Sequence, residues 1–420
     1  MQPCDNASKK LRVGMILPLR YQPNMLVYPT IKILGHLTNY GHHVSWIIES
    51  EEHQQSDSFY MGDIEIHPIP FRYYIPGNSI LSKIPNTLVN MLTKVRPISK
   101  VFREGNYDLV LVRHEVRAFD GLIATYIKWK YKIPLVLELS NPLEHWEEIR
   151  LHFPKQRFLL YFVAKTDEFI SKRILPKADL VLPISKWLQQ DLIENKGIPA
   201  SRSLPLPEGV DSKDFLNRDG KHITERYNLP GSHVVIYEGE MNHGRGLDIL
   251  IDAFSKVVKQ RPGTKLLMVG NGNDRENLEN LALQLGIDQD VVFTGYVLQS
   301  EIPDHIAAAD IGVSPIPPIT FYKFSSPIKV VEYMASAKAV VANEEIPDHN
   351  EVLSQSGGGI LVSFDPEAFA DAIINLLDNP DEAVEMGRKG REWVVQNRDF
   401  EVLARQVEQR CLELLNTTQK

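Results

Sequence analysis

The sequence predicts an α/β protein of two doubly wound, Rossmann-like domains that face a cleft. Its 420 residues are enough for two α/β domains of about 200 residues each. Short apolar strands alternate with helical segments in both halves, which is the pattern of parallel sheets covered by helices. Pro205, Pro207 and Gly209 cluster between the halves. We therefore expect one domain at 1–205 and a second at 206–420, whose terminal helix could pack back on the first.

Apolar runs predict five strands in the N-terminal half. They lie at 11–17, 43–49, 107–113, 133–139 and 179–184. A helical stretch at 30–40 ends before Gly41, a residue type that closes helices in the left-handed conformation. A second amphipathic stretch occupies 119–130. This alternation favours a parallel sheet in the N-terminal half.

The C-terminal half repeats the alternation more clearly. Six strands are predicted at 234–238, 265–269, 291–294, 311–314, 339–342 and 360–362. Leu247, Leu250, Ile251 and Phe254 recur at helical spacing after the first of them. Ligands of doubly wound sheets bind outside the carboxyl ends of the strands. The loops that follow these strands are therefore where we expect the site.

Composition and charge restrict the classes of function. The two cysteines, Cys4 and Cys411, give neither a disulfide framework nor metal-ligand spacing, which favours a reducing compartment. The apolar run at 13–19 is too short for a signal peptide core or a membrane span, so we expect a cytoplasmic protein. Residues 1–210 carry a net charge of +5 and residues 211–420 a net charge of −13. The acidic half is a poor binder of nucleic acid, and we expect no nucleic-acid partner.

Two glycine-containing loops follow strands of the C-terminal half. The first reads GEMNHGRG (239–246) and the second begins with Gly270, Asn271 and Gly272. Such loops offer backbone N–H groups to an anion, and Arg245 in the first loop could bind a phosphate with two hydrogen bonds. Ordinary strand-to-helix turns would also explain both glycine patterns.

A third motif, PIKVVEYMA (327–335), opens a helix after a long proline-containing segment at 315–327. Glu332 lies early in this helix, where a carboxylate is favoured by the helix dipole. A carboxylate facing a cleft can also accept hydrogen bonds from both hydroxyls of a ribose. A long loop inside a compact domain is more often functional than structural.

In their order and spacing these motifs resemble glycosyltransferase family 4, a family of retaining enzymes with the GT-B fold. The resemblance runs from about 179 to 397 and includes LPIS (182–185), PEGVD (207–211), the two glycine loops, FTGY (293–296) and the helix that carries Glu332. The N-terminal half is similar to the family through its first strand and YGHHV (40–44).

The resemblance implies a transferase that moves a hexose-type sugar from a nucleotide-sugar donor to a glycan or lipid-linked glycan, with retention of anomeric configuration. The donor is a substrate, so no cofactor is expected. The catalytic residues implied are Arg245, Glu332 and His145, the last in a region where the family often has an acceptor-side base. The donor-binding residues implied are Gly239, Arg245, Gly270, Asn271, Tyr296, Ile328, Lys329 and Glu332.

The sequence departs from the family pattern at two positions. Glu240 stands where the glycine loop usually has its first basic residue, and Phe324 stands where the first of two glutamates is usual. Two alternatives therefore remain open: a nucleotide-sugar epimerase on the same fold, and a transferase-like protein that has lost activity.

Two further patterns concern metals and membranes. Asp288 and Asp290 have the Asp-x-Asp form of metal-dependent transferases, but they lie in a turn, and we expect no metal. Segments 83–103 and 150–177 are rich in Lys and Arg, the second with interleaved aromatic residues. A solvated surface explains them, as does peripheral attraction to the anionic inner face of a membrane.

Overall fold

The computed structural model describes residues 10–20, 29–51, 58–71, 89, 92–114, 119–144 and 157–418. The chain forms two compact units. Unit 1 contains the chain up to Glu144, Phe158–Leu206 and the chain from Ala404 onward, while the main part of unit 2 is Pro207–Leu403.

The described residues of unit 1 form a seven-stranded sheet and the helices that cover it. The strands are β1 Arg12–Arg20, β2 His43–Glu51, β3 Phe59–Met61, β4 Ile64–Phe71, β5 Leu109–His114, β6 Leu135–Leu139 and β7 Leu180–Pro183. The helices are α1 Pro29–Asn39, α2 Val95–Gly105, α3 Phe119–Tyr131, α4 Arg157–Ile174 and α5 Lys186–Lys196. The strand order is β3-β4-β2-β1-β5-β6-β7, and every pairing is parallel except that of β3 with β4.

Unit 2 is built around a six-stranded parallel sheet. Its strands are β8 Val234–Glu238, β9 Lys265–Val269, β10 Val291–Gly295, β11 Ile311–Ser314, β12 Ala339–Asn343 and β13 Gly359–Val362, in the order β10-β9-β8-β11-β12-β13. Its helices are α6 Lys221–Arg226, α7 Asp248–Gln260, α8 Arg275–Gln284, α9 Ile302–Ala307, α10 Thr320–Lys323, α11 Ile328–Ala335, α12 Pro347–Ser356, α13 Pro366–Asp378 and α14 Pro380–Asn397. The predicted doubly wound α/β class is confirmed.

Side chains of β8 alternate between two cores on opposite faces of the unit 2 sheet. Val235 and Tyr237 pack in one core with helix α7, whereas Val234 and Ile236 pack in the other with helix α11. This is the period-two alternation of a strand buried on both faces. Glu238, the next residue in the alternation, therefore points toward the face that α11 covers.

The last helix, α15 (Phe400–Thr418), contributes its residues from Ala404 onward to unit 1. The ring of His42 is buried between the start of β1 and this helix. Its Nδ1 accepts a hydrogen bond from the Leu11 N–H at 3.0 Å, so its Nε2–H donates to Glu408 at 2.7 Å. Arg405 lies over the ring of Tyr40, 4.5 Å from its centroid. The helix is thus fixed to the sheet of unit 1 by directional contacts.

One residue of the predicted basic surface is buried instead. Lys94, just before α2, forms an ion pair with Glu49 at 3.0 Å and a second one with Asp120. All three side chains are buried. A buried ammonium needs paired carboxylates to offset its lost hydration, and these two supply them. Lys94 therefore contributes nothing to a basic outer face.

Candidate functional site

The two predicted glycine loops meet at the carboxyl ends of β8 and β9. The Gly239 N–H donates to the Val269 carbonyl at 2.9 Å, and the Met241 N–H donates to the Asn271 carbonyl at 3.0 Å. Gly239 has φ +133° and Gly270 has φ +129°, values that side chains disfavour. A Cβ on Gly270 would lie 2.1 Å from the Gly239 carbonyl oxygen. Gly270 therefore needs glycine both for its backbone conformation and for close backbone packing, whereas Gly239 needs it for its conformation.

Arg245 ends a single helical turn in the first loop. Gly246 follows it in the left-handed conformation, with φ +58°. The guanidinium carbon of Arg245 is 5.3 Å from the centroid of the Tyr322 ring, within cation–π range. The Tyr322 hydroxyl in turn donates to the Gly244 carbonyl at 3.3 Å. Helix α10 therefore orients the cation of the glycine loop.

Helix α11 brings a second cation and a carboxyl group to the same edge. Lys329 and Glu332 are both buried in its first turns, and Ile328, the first residue of the helix, is half-buried. The Lys329 Nζ lies 5.3 Å from the centroid of the Tyr237 ring. The Gln299 amide donates to the Glu332 Oε1 at 3.5 Å, a long contact. Cation and carboxyl thus sit beside the first glycine turn.

The carboxyl groups of Glu332 and Glu238 share a hydrogen bond, which requires a proton between them. Burial, and then the negative charge of Glu238, raise the pKa of Glu332 well above its usual range, while Lys329 opposes the rise. Burial also lowers the pKa of Lys329, an effect that Glu238 opposes and Arg245 reinforces. The cluster thus joins two hydrogen-bonded carboxyl groups to the basic side chains of Lys329 and Arg245, and burial favours the protonated form of Glu332.

Glu238 is a functional candidate that sequence reasoning missed. The signal was present, because an acid ending an otherwise apolar and buried strand is unusual. The family's glycine motif begins one residue later, at Gly239, and does not include the last residue of the strand.

A buried network fixes the segment before α11 to the linker. The Arg398 guanidinium donates to Asp348 at 2.7 Å and to the Ser326 hydroxyl at 3.0 Å. Ser326 also accepts from the Glu208 N–H at 3.2 Å. The predicted linker motif at 207–211 therefore positions the start of the helix that carries Lys329 and Glu332.

The remaining predicted residues are Tyr296, His145 and the Asp-x-Asp pair at 288 and 290. Tyr296 directly follows β10 and is 67% exposed, with its ring open to solvent. His145 lies outside the described residues. Asp290 is paired with Lys265 at 2.8 Å, and among the residues that the structure describes no three His, Cys, Asp or Glu side chains cluster as metal ligands. In the same described part of the chain, no helix combines the length and hydropathy needed to cross a bilayer.

Two doubly wound sheets, with glycine turns and cations at the carboxyl edge of the second, define the GT-B class of fold. Solved structures share it. Sucrose-phosphate synthase from Thermosynechococcus elongatus has a TM-score of 0.75 at 20% identity, covering 97% of this chain and 100% of that chain. HepE of Anabaena, solved with UDP and glucose, has a TM-score of 0.67 at 17% identity, covering 95% and 98%.

Two family models match separate parts of the chain. "Glycosyltransferase Family 4" matches residues 30–214 and "Glycosyl transferases group 1" matches residues 232–379. The chain belongs to glycosyltransferase family 4, as the motifs predicted.

Among curated relatives is the GDP-mannose-dependent alpha-(1-6)-phosphatidylinositol monomannoside mannosyltransferase of Mycolicibacterium smegmatis. It is 31% identical over 230 residues, which are 54% of this chain and 60% of that protein. The matched region thus spans about three fifths of the length of this curated relative.

Proposed function

We propose that the protein is a glycosyltransferase that moves a hexose-type sugar from a nucleotide-sugar donor to a glycan or lipid-linked glycan. The observation that carries this proposal is the junction of two glycine turns, two cations and a carboxyl pair at one sheet edge. Such an edge suits a diphosphate joined to a ribose. A relative that is GDP-mannose-dependent and a neighbour solved with UDP and glucose support the donor class.

The donor diphosphate would lie against the turns at Gly239 and Gly270, with Arg245 as its bidentate partner. Glu240 occupies the position where the family's glycine loop usually has its other basic residue, so that residue is absent here. Lys329 compensates, because its Nζ lies 3.6 Å from the point where a Gly239 Cβ would be. Two positive charges beside the turn favour an active transferase over a relative that has lost activity.

These two cations also favour chemistry without a divalent ion, since they can neutralise the departing nucleoside diphosphate. Transfer that continues at full rate in excess chelator is the expected result. Transfer that stops and is restored by magnesium or manganese would refute this part of the proposal.

Retention would follow if the acceptor hydroxyl attacks the anomeric carbon on the same face from which the nucleoside diphosphate departs. The bond from the anomeric carbon to the phosphate oxygen breaks, the acceptor hydroxyl oxygen bonds to that carbon, and its proton passes to the phosphate. Double displacement would instead need a carboxylate nucleophile beside the sugar. Phe324 stands where the family's hexose-side glutamate is usual, and Glu332 is engaged with Glu238.

The acceptor would bind to unit 1, where His145 stays a hypothesis for the acceptor-side base. The aromatic residues Phe162 and Phe169 of α4 are more than half exposed, which suits a lipid-linked acceptor presented at a membrane surface.

The test begins with the donor. GDP, UDP and their sugars are screened by thermal shift, since a ligand at 100 times its Kd stabilises by about 2.7 kcal/mol. The stabilising nucleotide sugar is then incubated with and without candidate acceptors, and proton NMR of the first-formed product gives its anomeric configuration. Product that forms only with acceptor identifies a transferase, and a product with the anomeric configuration of the donor identifies retention. Sugar interconversion without acceptor identifies an epimerase, and binding without turnover identifies an inactive relative.

A further inference from the structure

Among the residues that the structure describes, no N–H or hydroxyl group donates to the Oε1 of Glu238. The residue is 8% exposed, and its Oε1 is buried without a hydrogen-bond partner among the described residues. An unpaired polar atom in a protein interior is destabilising, and more so when it is charged. Such an oxygen at a binding edge points to a ligand that supplies the missing donor.

The position of this oxygen is fixed by its surroundings. The Glu238 N–H donates to the Tyr333 hydroxyl at 3.0 Å, which ties the end of β8 to helix α11. Its carboxyl group is hydrogen-bonded to Glu332, and Gly239, the first glycine of the diphosphate loop, follows it directly. Glu238 is therefore adjacent to Glu332, the carboxyl group expected to bind the ribose, and to the glycine turn expected to bind the diphosphate.

We propose that Glu238 is a donor-binding residue, whose Oε1 accepts a hydrogen bond from one ribose hydroxyl while Glu332 accepts from the neighbouring hydroxyl. This inference rests on the proposed function, which places a nucleotide at this edge. Carboxylates bind ribose diols because the two vicinal O–H groups donate in one direction. A pair of carboxyl groups matches a pair of hydroxyls.

The diol would replace the hydrogen bond between the two carboxyl groups. When the site is empty, one proton lies between Glu238 and Glu332. When a ribose binds, its two O–H groups become the donors and the shared proton leaves to solvent. Donor affinity should therefore rise with pH. The charged and polar groups that face the pair are Glu208, Lys329 and Gln299, with Arg245 beyond Lys329.

The test compares ligands that lack one hydroxyl. Calorimetry measures the Kd of GDP or UDP, whichever binds, and of its 2′-deoxy and 3′-deoxy forms, for wild type and Glu238→Ala. A hydrogen bond to a charged group is worth about 1.5–3 kcal/mol, so wild type should prefer the ribonucleotide by at least ~10-fold. In Glu238→Ala the ribonucleotide should bind at least ~10-fold more weakly, and its preference over one deoxy form should fall to about onefold.

Glu279→Gln is the matched control, because Glu279 is a carboxylate of unit 2 that pairs with Arg275 on helix α8. Glu279→Gln should prefer the ribonucleotide over each deoxy form by the same factor as wild type. Unchanged ribo-to-deoxy ratios in Glu238→Ala would overturn the proposal, since a structural role cannot distinguish the ligands. Failure of wild type to bind any nucleoside diphosphate would instead refute the proposed function.

Glu238→Gln provides a second readout that does not depend on the alanine variant folding. An amide cannot share the proton, so Glu332 should ionise at lower pH. The rise of nucleotide affinity with increasing pH should flatten in this variant. A wild-type pH profile in Glu238→Gln would contradict the proposal.

Discussion

At the scale of single residues, the ionisable side chains of the candidate site influence one another's pKa. Lys329 has Glu238 and Arg245 as its strongest charged influences, and Glu332 has Glu238 and Lys329. Changing one member alters the state of the others, so variants in this cluster should not be additive. Arg245 is the least buried member of the cluster, so its substitution should disturb the other members least.

Arg245→Ala should weaken donor use without unfolding the protein. A bidentate, charge-assisted contact to a diphosphate is worth about 1.5–3 kcal/mol, so the donor KM should rise by about 10- to 100-fold. Arg245→Lys should recover only part of the loss, because an ammonium lacks the planar fork. Arg261→Ala, which removes an exposed arginine paired with Asp378, is the control. Wild-type donor kinetics in Arg245→Ala would contradict the site.

His349 should make the protein sensitive to acid. Its Nδ1–H donates to the Asn343 carbonyl and its Nε2 accepts from the Ser314 hydroxyl, both at 3.1 Å. Burial lowers the pKa of His349 from 6.5 to about 4. Between these values the unfolded chain binds a proton that the folded chain does not, so the free energy of unfolding falls as pH drops from 6.5 to 4.

Each unit of this pKa difference corresponds to about 1.4 kcal/mol. Urea unfolding of wild type and His349→Gln across this pH range measures the effect. The stability advantage of wild type at pH 7 should shrink toward pH 4. Parallel stability curves for the two proteins would show that His349 is not the titrating group.

At the scale of elements, the strands of unit 2 were predictable because each is a short apolar run between turn residues. Strand β4 was not, because it contains Pro68 and Pro70. The structure explains both prolines. Among the described residues, β3 pairs with β4 only at Ile64, Glu65 and Ile66. Both prolines therefore lie beyond the last of these pairs, in the part of β4 that is paired with β2 alone. This depends on where a neighbour stops, which local sequence does not encode.

The same limit applies to the site. Glycine spacing predicted Gly239 and Gly270 because backbone geometry is a local requirement. The pairing of Glu238 with Glu332 joins residues 94 positions apart, and only the packing of α11 on β8 brings them together. Lys94 was misassigned to the surface for the same reason, since its partners Glu49 and Asp120 are remote in sequence.

Gly270→Ala should disrupt both glycine turns together. The new Cβ would meet the Gly239 carbonyl oxygen at 2.1 Å and would occupy a left-handed backbone region. We expect a loss of about 3 kcal/mol or more in stability, together with loss of nucleotide binding. Gly35→Ala is the control, since a Cβ at this position of α1 meets nothing within 4 Å and should stabilise by up to about 1 kcal/mol. Equal stability of the two variants would contradict the close packing of the turns.

At the scale of the whole molecule, charge is divided between the halves of the chain. The first 210 residues carry +5 and the rest carry −13. Helix α4 adds the exposed aromatic residues Phe162 and Phe169, although its Lys165 and Lys172 are partly neutralised by Glu168. Attraction to an anionic surface would therefore rely on aromatic insertion as much as on net charge.

We expect the protein to co-sediment with phosphatidylglycerol vesicles at low salt and to be released at high salt, because polybasic attraction is screened. Phe162→Ser combined with Phe169→Ser should reduce the bound fraction. Leu283→Ser, at an exposed apolar residue of unit 2, should leave it unchanged. A wild-type protein that stays in the supernatant at low salt would exclude this membrane association.

The contact of His42 with Glu408 has a consequence for synthesis on the ribosome. Unit 1 needs α15, yet the roughly 200 residues of unit 2 are translated between Leu206 and Ala404, which takes about 10–40 seconds at typical rates. During that time the nascent first unit lacks the helix that contacts His42. The half of the chain made first is thus completed last, and we expect it to need chaperone protection while translation continues.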